Sequence, residues 1–346
     1  MKKILFATTA LVATAGVAAA EVTLGGFGRF GIFYDEGAAQ DTRIEQRFRL
    51  TATGVAESDN GLKFEGRIRW QTDENAAGTS NVAQRSAAGF AVTSGAWRLD
   101  VGHVSDVLDS GDVLDYYGYG VGLTSFAEQS SGWALPASGF GVSGDDDRIA
   151  PTIKIRYDAG ALTFSASITD DSETTVDDLD LTTTPGTYGT TATSGEEWQV
   201  GVGYNFGNYT VGLVGGSKDT DSTVISGDVG APLDATNPTF SETTTSSTND
   251  FWALGFGGDI GAFAFSIIVG DSDDQDDTSY GFSVKYDVGA ATDIRFVFAD
   301  NGMDADDETV AIGFRHSLGG GVSFRGGVGQ NTSGDTVADL GLIFNF

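Results

Sequence analysis

The residues able to do chemistry gather in one stretch. From Val104 to Arg148, about 45 residues run without a period of two or of 3.6 and are rich in Gly, Ser and Asp. Acids recur there at every third position, Asp106, Asp109, Asp112 and Asp115, with Glu128 further on. Carboxylates so spaced have two readings. Asp106, Asp109 and Asp112 could hold calcium through their oxygens, the ligand type that a hard cation takes. Alternatively, the run is one acidic face of a short helical turn, aimed at basic residues elsewhere. A segment this long without secondary structure is functional more often than not in a compact chain; the plain alternative is a solvated surface loop.

Other chemical signals are weaker. The acidic run Asp271, Asp273, Asp274, Asp276 and Asp277 resembles an EF-hand loop in composition only, because it lacks the central Gly and the closing Glu. It reads as an outer loop able to bind divalent cations. Gly26-Phe27-Gly28-Arg29-Phe30-Gly31 fits G-x-G-x-x-G, but no strand precedes it and no helix follows, so a dinucleotide site is not expected. The chain has two histidines, His103 and His316. Neither lies in a recognisable nucleophile motif, and no enzyme is expected.

Composition narrows the setting. Lys2 and Lys3, an apolar run from Ile4 to Val17 and Ala18-Ala19-Ala20 form a secretory signal, 1–20, with the mature chain starting at Glu21. That run is too short and too rich in Ala and Thr to span a membrane, and no later window offers about 20 apolar residues without charge. Without Lys2 and Lys3 the chain has 17 basic residues against 49 acidic ones, a net charge of −32, which excludes nucleic acid as a natural partner. The 10 Tyr, 23 Phe and 5 Trp argue against a disordered acidic chain. An exported protein with no Cys must hold itself together without disulfides.

The elements that position these residues are strands. In Leu62-Lys63-Phe64-Glu65-Gly66-Arg67-Ile68-Arg69-Trp70 even positions are mostly apolar and odd ones charged, and in a strand they fall on opposite faces. Trp198–Phe206, Phe263–Val269 and Tyr280–Tyr286 alternate likewise. The pattern predicts sixteen strands: 22–34, 43–56, 61–73, 83–93, 96–103, 149–158, 161–170, 196–206, 209–218, 249–258, 261–271, 279–287, 291–299, 308–317, 321–330 and 335–346. Connections alternate between tight turns, such as Phe206-Gly207-Asn208-Tyr209, and longer acidic or Thr/Ser-rich loops, such as 171–195 and 219–248. Strict alternation of this kind means an up-and-down meander with its tight turns at one end. One face carries large aromatics and aliphatics, the other Arg, Lys, Gly, Ser, Thr and Asn. By this register all but Arg43, Arg148 and Lys218 of the 17 mature basic residues lie on the polar face of a strand. Apolar outside and charged inside is the pattern of a transmembrane barrel, where a charge facing lipid costs about 2–4 kcal/mol at the midplane. The expected fold is therefore all-β, a 16-stranded antiparallel transmembrane barrel forming one domain, 21–346. Segment 104–148 folds into its lumen, which sixteen strands leave water-filled.

The chain ends in Val337-Ala338-Asp339-Leu340-Gly341-Leu342-Ile343-Phe344-Asn345-Phe346, an amphipathic strand that resembles the assembly signal of bacterial outer-membrane barrels, with Phe346 as its last residue. Ile343 departs from the polar-inside rule. Together with Gly26–Gly31 and Asn205-Phe206-Gly207-Asn208-Tyr209-Thr210-Val211-Gly212, this end resembles the general-diffusion porins of the Rhodobacter (alphaproteobacterial) type. The likeness covers the mature chain in architecture, although the long loops have no recognisable counterpart. The resemblance implies an outer-membrane homotrimer among lipid and lipopolysaccharide, passing small hydrophilic solutes and ions by passive diffusion. It also implies a pore constriction, with Asp106, Asp109, Asp112, Asp115 and Glu128 on the third loop facing Arg29, Arg47, Arg49, Arg67, Arg69 and Arg85 on the wall. Calcium near this loop is part of the family picture, and no cofactor is otherwise required. The strand register independently puts those six arginines on the lumen face, on the first four strands, and Lys63 and Arg98 share that face. The acidic excess predicts a modest cation preference. A substrate-specific outer-membrane channel is the alternative; it needs a line of aromatics along the lumen, for which Phe27 and Phe33 are the candidates.

Overall fold

The computed structural model describes residues 21–73, 81–137, 150–180, 186–229, 240–305 and 307–346, with backbone alone along 171–180, 186–191, 226–229 and 240–241. The expected signal, 1–20, and the far end of the long loop, including Arg148, lie outside the described residues. The strands are β1 (Glu21–Asp35), β2 (Thr42–Glu57), β3 (Lys63–Asp73), β4 in two pieces (Gln84–Arg85 and Gly89–Ser94), β5 (Trp97–Gly102), β6 (Thr152–Ala159), β7 (Leu162–Asp180), β8 (Gly186–Phe206), β9 (Tyr209–Val229) and β10 (Phe240–Ile260). They continue as β11 (Phe263–Ser272), β12 (Ser279–Asp287), β13 (Thr292–Asp300), β14 (Glu308–Gly319), β15 (Val322–Gln330) and β16 (Thr336–Asn345). Each pairs antiparallel with its sequence neighbours, and β1 pairs with both β2 and β16, so the sheet closes into a barrel of sixteen strands. Closure leaves no open edge at membrane depth, the condition for crossing lipid with strands. No helix among the described residues is long and apolar enough to cross.

The last residue completes the ring. The Phe346 N–H donates to the Gly26 carbonyl at 3.1 Å, the Gly26 N–H donates back to Phe346 at 3.0 Å, and the Phe346 ring stacks on Phe48 at 5.6 Å. The tight turns use glycines in the left-handed region, Gly160 at φ 69° and Gly207 at φ 66°, where a side chain would be strained.

The distribution of polarity is inverted. Phe30, Ile32, Phe48, Ile153, Ile155, Leu213 and Leu254 are exposed on the outer face, whereas Gln71, Lys154, Ser165, Ser167, Gln199 and Ser283 are buried on the inner one. Arg43 and Lys218 also belong to the inner face: Arg43 is in register with Phe33 and covers its ring at 4.0 Å, and Lys218 is in register with the buried Asn249. Ile343 is buried and faces inward between Arg29 and Ser323 in register, so the register of the last strand holds through it.

Two expectations are corrected here. Residues 171–180, 186–195, 219–229 and 240–248 are not loops; β7 to β10 continue through them with paired registers out to Asp180↔Thr187, Val229↔Gly186 and Gly227↔Phe240. Outside lipid both strand faces are wet, so the apolar alternation ends while the β-branched Thr content still favours strand. Arg85 does not share the inner face with the other arginines. It is exposed and lies opposite the outward Trp70, because the register Arg67↔Gly89 slips by one residue to Trp70↔Arg85 across the break in β4. A one-residue bulge sends every residue beyond it to the opposite face.

Candidate functional site

Inside the barrel, the segment after β5 folds back across the lumen and docks on the wall of β6 to β12. Its first turn is the short helix α1 (Val107–Ser110), capped by Asp106, whose carboxylate accepts from the Asp109 N–H at 2.7 Å. Capping of this kind satisfies a helix-terminal donor. The wall supplies the others: Ser167 accepts from the Val107 N–H at 3.3 Å and Gln199 Oε1 from the Leu108 N–H at 2.8 Å. Val107, Leu108, Val113, Leu114, Tyr116, Trp133 and Leu135 pack against Val214, Phe251, Ala253 and Ile268 of the wall. The hydrophobic core of this protein is therefore the contact between loop and barrel. The loop backbone lies so close that a Cβ at Gly212 would overlap the Val113 carbonyl and one at Gly281 the Gln129 carbonyl. Part of the large glycine content thus serves as a seat.

Polar anchors continue along the loop. The Gln129 amide donates to Ser266 Oγ at 3.0 Å and accepts from Ser283 Oγ at 2.9 Å. Further on, Asp339 of β16 accepts from the Leu123 N–H at 2.7 Å and from the Thr124 N–H and hydroxyl at 2.8 Å.

The five loop acids do five different things. Asp106 is fully buried as the helix cap. Asp109 accepts from the Tyr117 hydroxyl at 2.6 Å and lies in electrostatic range of Arg67 and Arg69. Burial, and then Asp109, raise the Tyr117 phenol well above its usual range, so it stays a donor. Asp112 pairs with Lys154 at 2.7 Å and Arg156 at 2.9 Å, both on β6. Burial alone would raise its carboxyl, but those two cations hold it below the usual value. Asp115 is exposed and caps the Gly118 N–H at 2.9 Å. Glu128 is pushed up to about 7, first by burial and then by Asp115, against the pull of Arg315. The reading of the Asp run as one acidic face of a short helical turn is thus corrected: α1 ends at Ser110, so Asp112 and Asp115 lie beyond the turn. Among the described residues no group of three His, Cys, Asp or Glu could hold a metal ion. The calcium set Asp106, Asp109 and Asp112 is not assembled, since the three are turned to the helix cap, to Tyr117 and to β6.

On the wall, five of the six expected arginines come together on β1 to β3. Arg29 and Arg47 are register partners, as are Phe27 with Arg49, Thr51 with Arg69 and Thr53 with Arg67. Arg29 pairs with Glu45 at 2.6 Å, Arg47 pairs with Asp73, and Arg49 donates to Gln71. Next to them Arg98 bridges Glu65 at 3.0 Å and Asp100 at 2.9 Å. A cavity of about 260 Å3 separates wall from loop here, lined by Arg67, Arg98, Asp100, Ser110, Asp112, Lys154 and Arg156. Such an arrangement puts cations on one side of the aqueous path and a carboxylate on the other. The field between them runs across the barrel, which orients polar solutes and water.

The wall contacts of the loop were not foreseen. Lys154, Arg156, Gln199 and Asp339 read only as inward polar positions, and alternation cannot say which of those meets a loop. The same holds for Arg295, Arg315 and Arg325 on β13 to β15, where the Arg295 guanidinium lies 5.7 Å from the Tyr119 ring centre.

Known proteins share both fold and sequence with this chain. It is 28% identical over 335 residues to the "Porin" of Rhodobacter capsulatus, covering 94% of this chain and 100% of the relative. To the "Porin" of Fuscovulum blasticum it is 25% identical over 329 residues, with the same coverage. A solved mutant of Rh. blastica porin superposes with a TM-score of 0.63 at 20% identity, covering 94% of this chain and all of the other. The sequence profile described as Gram-negative porin matches residues 7–336. The chain belongs to the Gram-negative porin family, outer-membrane β-barrels through which small solutes diffuse passively.

Proposed function

We propose that the protein is a homotrimeric general-diffusion porin whose narrowest point lies between Asp109 on the loop and Arg67 and Arg69 on the wall, and that it prefers small cations modestly. The observation that carries this reading is Asp109 held by Tyr117 within electrostatic range of Arg67 and Arg69 across the lumen. Arg29, Arg47 and Arg49 extend the basic side, while Glu45 and Asp73 offset part of their charge and Gln71 accepts a hydrogen bond from Arg49. The net charge of −30 for the whole chain makes the entrances negative and draws cations. The arginines oppose this at the constriction, so the preference is small, and screening over about 8 Å shrinks it further at physiological salt.

The substrate-specific alternative requires bare aromatics along the path. Phe27 and Phe33 do face inward, but guanidinium groups of Arg49 and Arg43 cover them at 5.1 and 4.0 Å, which favours general diffusion. The apolar outer face would sit against lipid and, in the outer leaflet, lipopolysaccharide. Single-channel recording tests the reading: conductance should rise in trimer-sized steps, and a zero-current potential under a salt gradient should show a weak cation preference that falls in Asp109→Asn. An unchanged potential in that variant, or anion preference in the parent, would contradict it.

A further inference from the structure

Beyond the constriction, a second basic group occupies the lumen near the tight-turn end of β12 to β15, and its charge balance differs from that of the first. Arg315 and Arg325 are direct register partners on neighbouring strands and face the same way, which brings their Cβ atoms within about 5.5 Å. Arg295 lies opposite Gly313, one position along the same face from Arg315. Like charges so placed repel, and elsewhere in this barrel such pairs are interleaved with acids. Here Asp293 bonds Arg295 at 2.7 Å, and Asp287 pairs with Lys285 at 3.3 Å. Among the described residues no carboxylate lies within ion-pair distance of Arg315 or Arg325; Asp293 stands opposite Arg315 in register and within electrostatic range of both, but its hydrogen bond goes to Arg295. Arg325 donates to Ser323 Oγ at 2.9 Å, and Arg315 reaches only the Gly120 carbonyl, at 3.4 Å. The Arg315 Nε is buried with no partner. Glu128 is the loop acid in electrostatic range of Arg315, and with its carboxyl raised to about 7 it carries only part of a charge near neutral pH, where phosphate monoesters are mostly doubly charged.

We propose that Arg315 and Arg325, with Arg295 beside them, form a binding site for doubly charged tetrahedral oxyanions, of which inorganic phosphate and small phosphate monoesters are the class. Two guanidinium forks offer parallel N–H pairs to one anion, the geometry that arginine suits and lysine does not. A single dianion matches both charges and offers separate oxygens to the two forks and the orphaned Nε, whereas chloride brings one charge on one acceptor atom. The site lies on the wall of β13 to β15, separate from the arginines of β1 to β3. It therefore acts as a stopping place for phosphate within a channel that otherwise favours cations.

The test is chloride current through single channels in a planar bilayer, with inorganic phosphate added to one side at constant ionic strength. Phosphate should lower the open-channel current in a saturable way, and more strongly from one side than from the other. Arg315→Gln with Arg325→Gln should need at least about tenfold more phosphate for the same block, the loss expected for charged hydrogen bonds. Arg315→Lys with Arg325→Lys keeps the charge and loses the forks, and should show an intermediate loss; it also answers a Gln variant that fails to assemble. Absence of block from both sides in the parent channel overturns the proposal, and so does equal block in the parent and the Lys variant.

Discussion

Asp112→Asn tests how the loop is held, and its size can be worked from the structure. Asn keeps the shape but has one oxygen where Asp112 has two, so it can accept from Lys154 at 2.7 Å or from Arg156 at 2.9 Å but not from both, and it brings no charge to either. Charged bonds contribute about 1.5–3 kcal/mol each and neutral ones about 0.5–1.5. The Lys154 side chain is 7% exposed and the Arg156 side chain 33%, so the Lys154 bond takes the larger share and the Arg156 bond is partly screened. The expected loss is about 2 kcal/mol, roughly a thirtyfold shift from docked toward released loop. Hydrogen exchange reads this directly, because the Leu108 N–H is bonded to Gln199 only while the loop is docked. Amides of 107–117 should exchange about thirtyfold faster while strand amides keep their protection. Lys154 would then lose its carboxylate partner and Arg156 would keep only Asp158, at 3.2 Å, and the zero-current potential should move toward anions. Adding Lys154→Met should recover part of both effects, with a coupling of about 1–2 kcal/mol in the double-mutant cycle. Unchanged exchange in Asp112→Asn, or strictly additive single effects, would refute the anchoring role. The pH dependence has a definite sign. The folded carboxyl lies below its ordinary value, so its contribution is complete above about pH 4 and is lost only as pH falls through the depressed value.

Glu128 behaves in the opposite sense. Its carboxyl is raised to about 7, so the folded state holds the extra proton and stability falls as pH rises from the ordinary value toward 7; cation preference should increase between pH 6 and 8 in the parent channel and stay flat in Glu128→Gln. Deleting Phe346 removes both Gly26 hydrogen bonds and the stack on Phe48, and should lower the yield of heat-modifiable assembled protein without reducing export; normal yield would count against a role in closure. Gly212→Ala places a Cβ against the Val113 carbonyl, and since the hydrogen-bonded wall is stiffer than the loop, single-channel conductance should fall with ion selectivity unchanged. A conductance equal to that of the parent would show that the loop can yield elsewhere.

The barrel was legible because a membrane strand carries its information in a period of two. Each face answers to a different solvent, so inward arginines and outward Phe, Ile and Leu alternate wherever the wall meets lipid. The reading failed where that physics stops. Above the lipid, from Asp171 to Asp180 and from Asp219 to Val229, the strands stay paired, but with water on both faces nothing forces alternation. Arg85 failed for a related reason: a single extra residue in β4 moves it to the face of Trp70, and no composition signal marks a bulge.

Inside the lumen, legibility divides by element rather than by residue type. Arginines on β1 to β3 inherit their direction from the wall, so Arg29, Arg47, Arg49, Arg67 and Arg69 could be placed together before any coordinates. The loop acids inherit theirs from hydrogen bonds to the loop's own backbone and to distant wall residues. Asp106 is held by an amide three residues on, Asp112 by cations more than forty residues away, and Asp339, a wall residue, holds amides more than two hundred residues before it. None of these separations leaves a local pattern. A helix of four residues also ends before a threefold spacing can build a face. The consequence is chemical as well as topological. With Asp106 committed to the cap and Asp112 to β6, the transverse field at the proposed constriction rests on Asp109 and the Tyr117 hydroxyl that fixes it. Tyr117→Phe keeps the ring and removes that bond. It should therefore weaken cation preference in the same direction as Asp109→Asn, although it alters no charge; a Tyr117→Phe channel with the parent's zero-current potential would mean that Asp109 is positioned by something other than this bond.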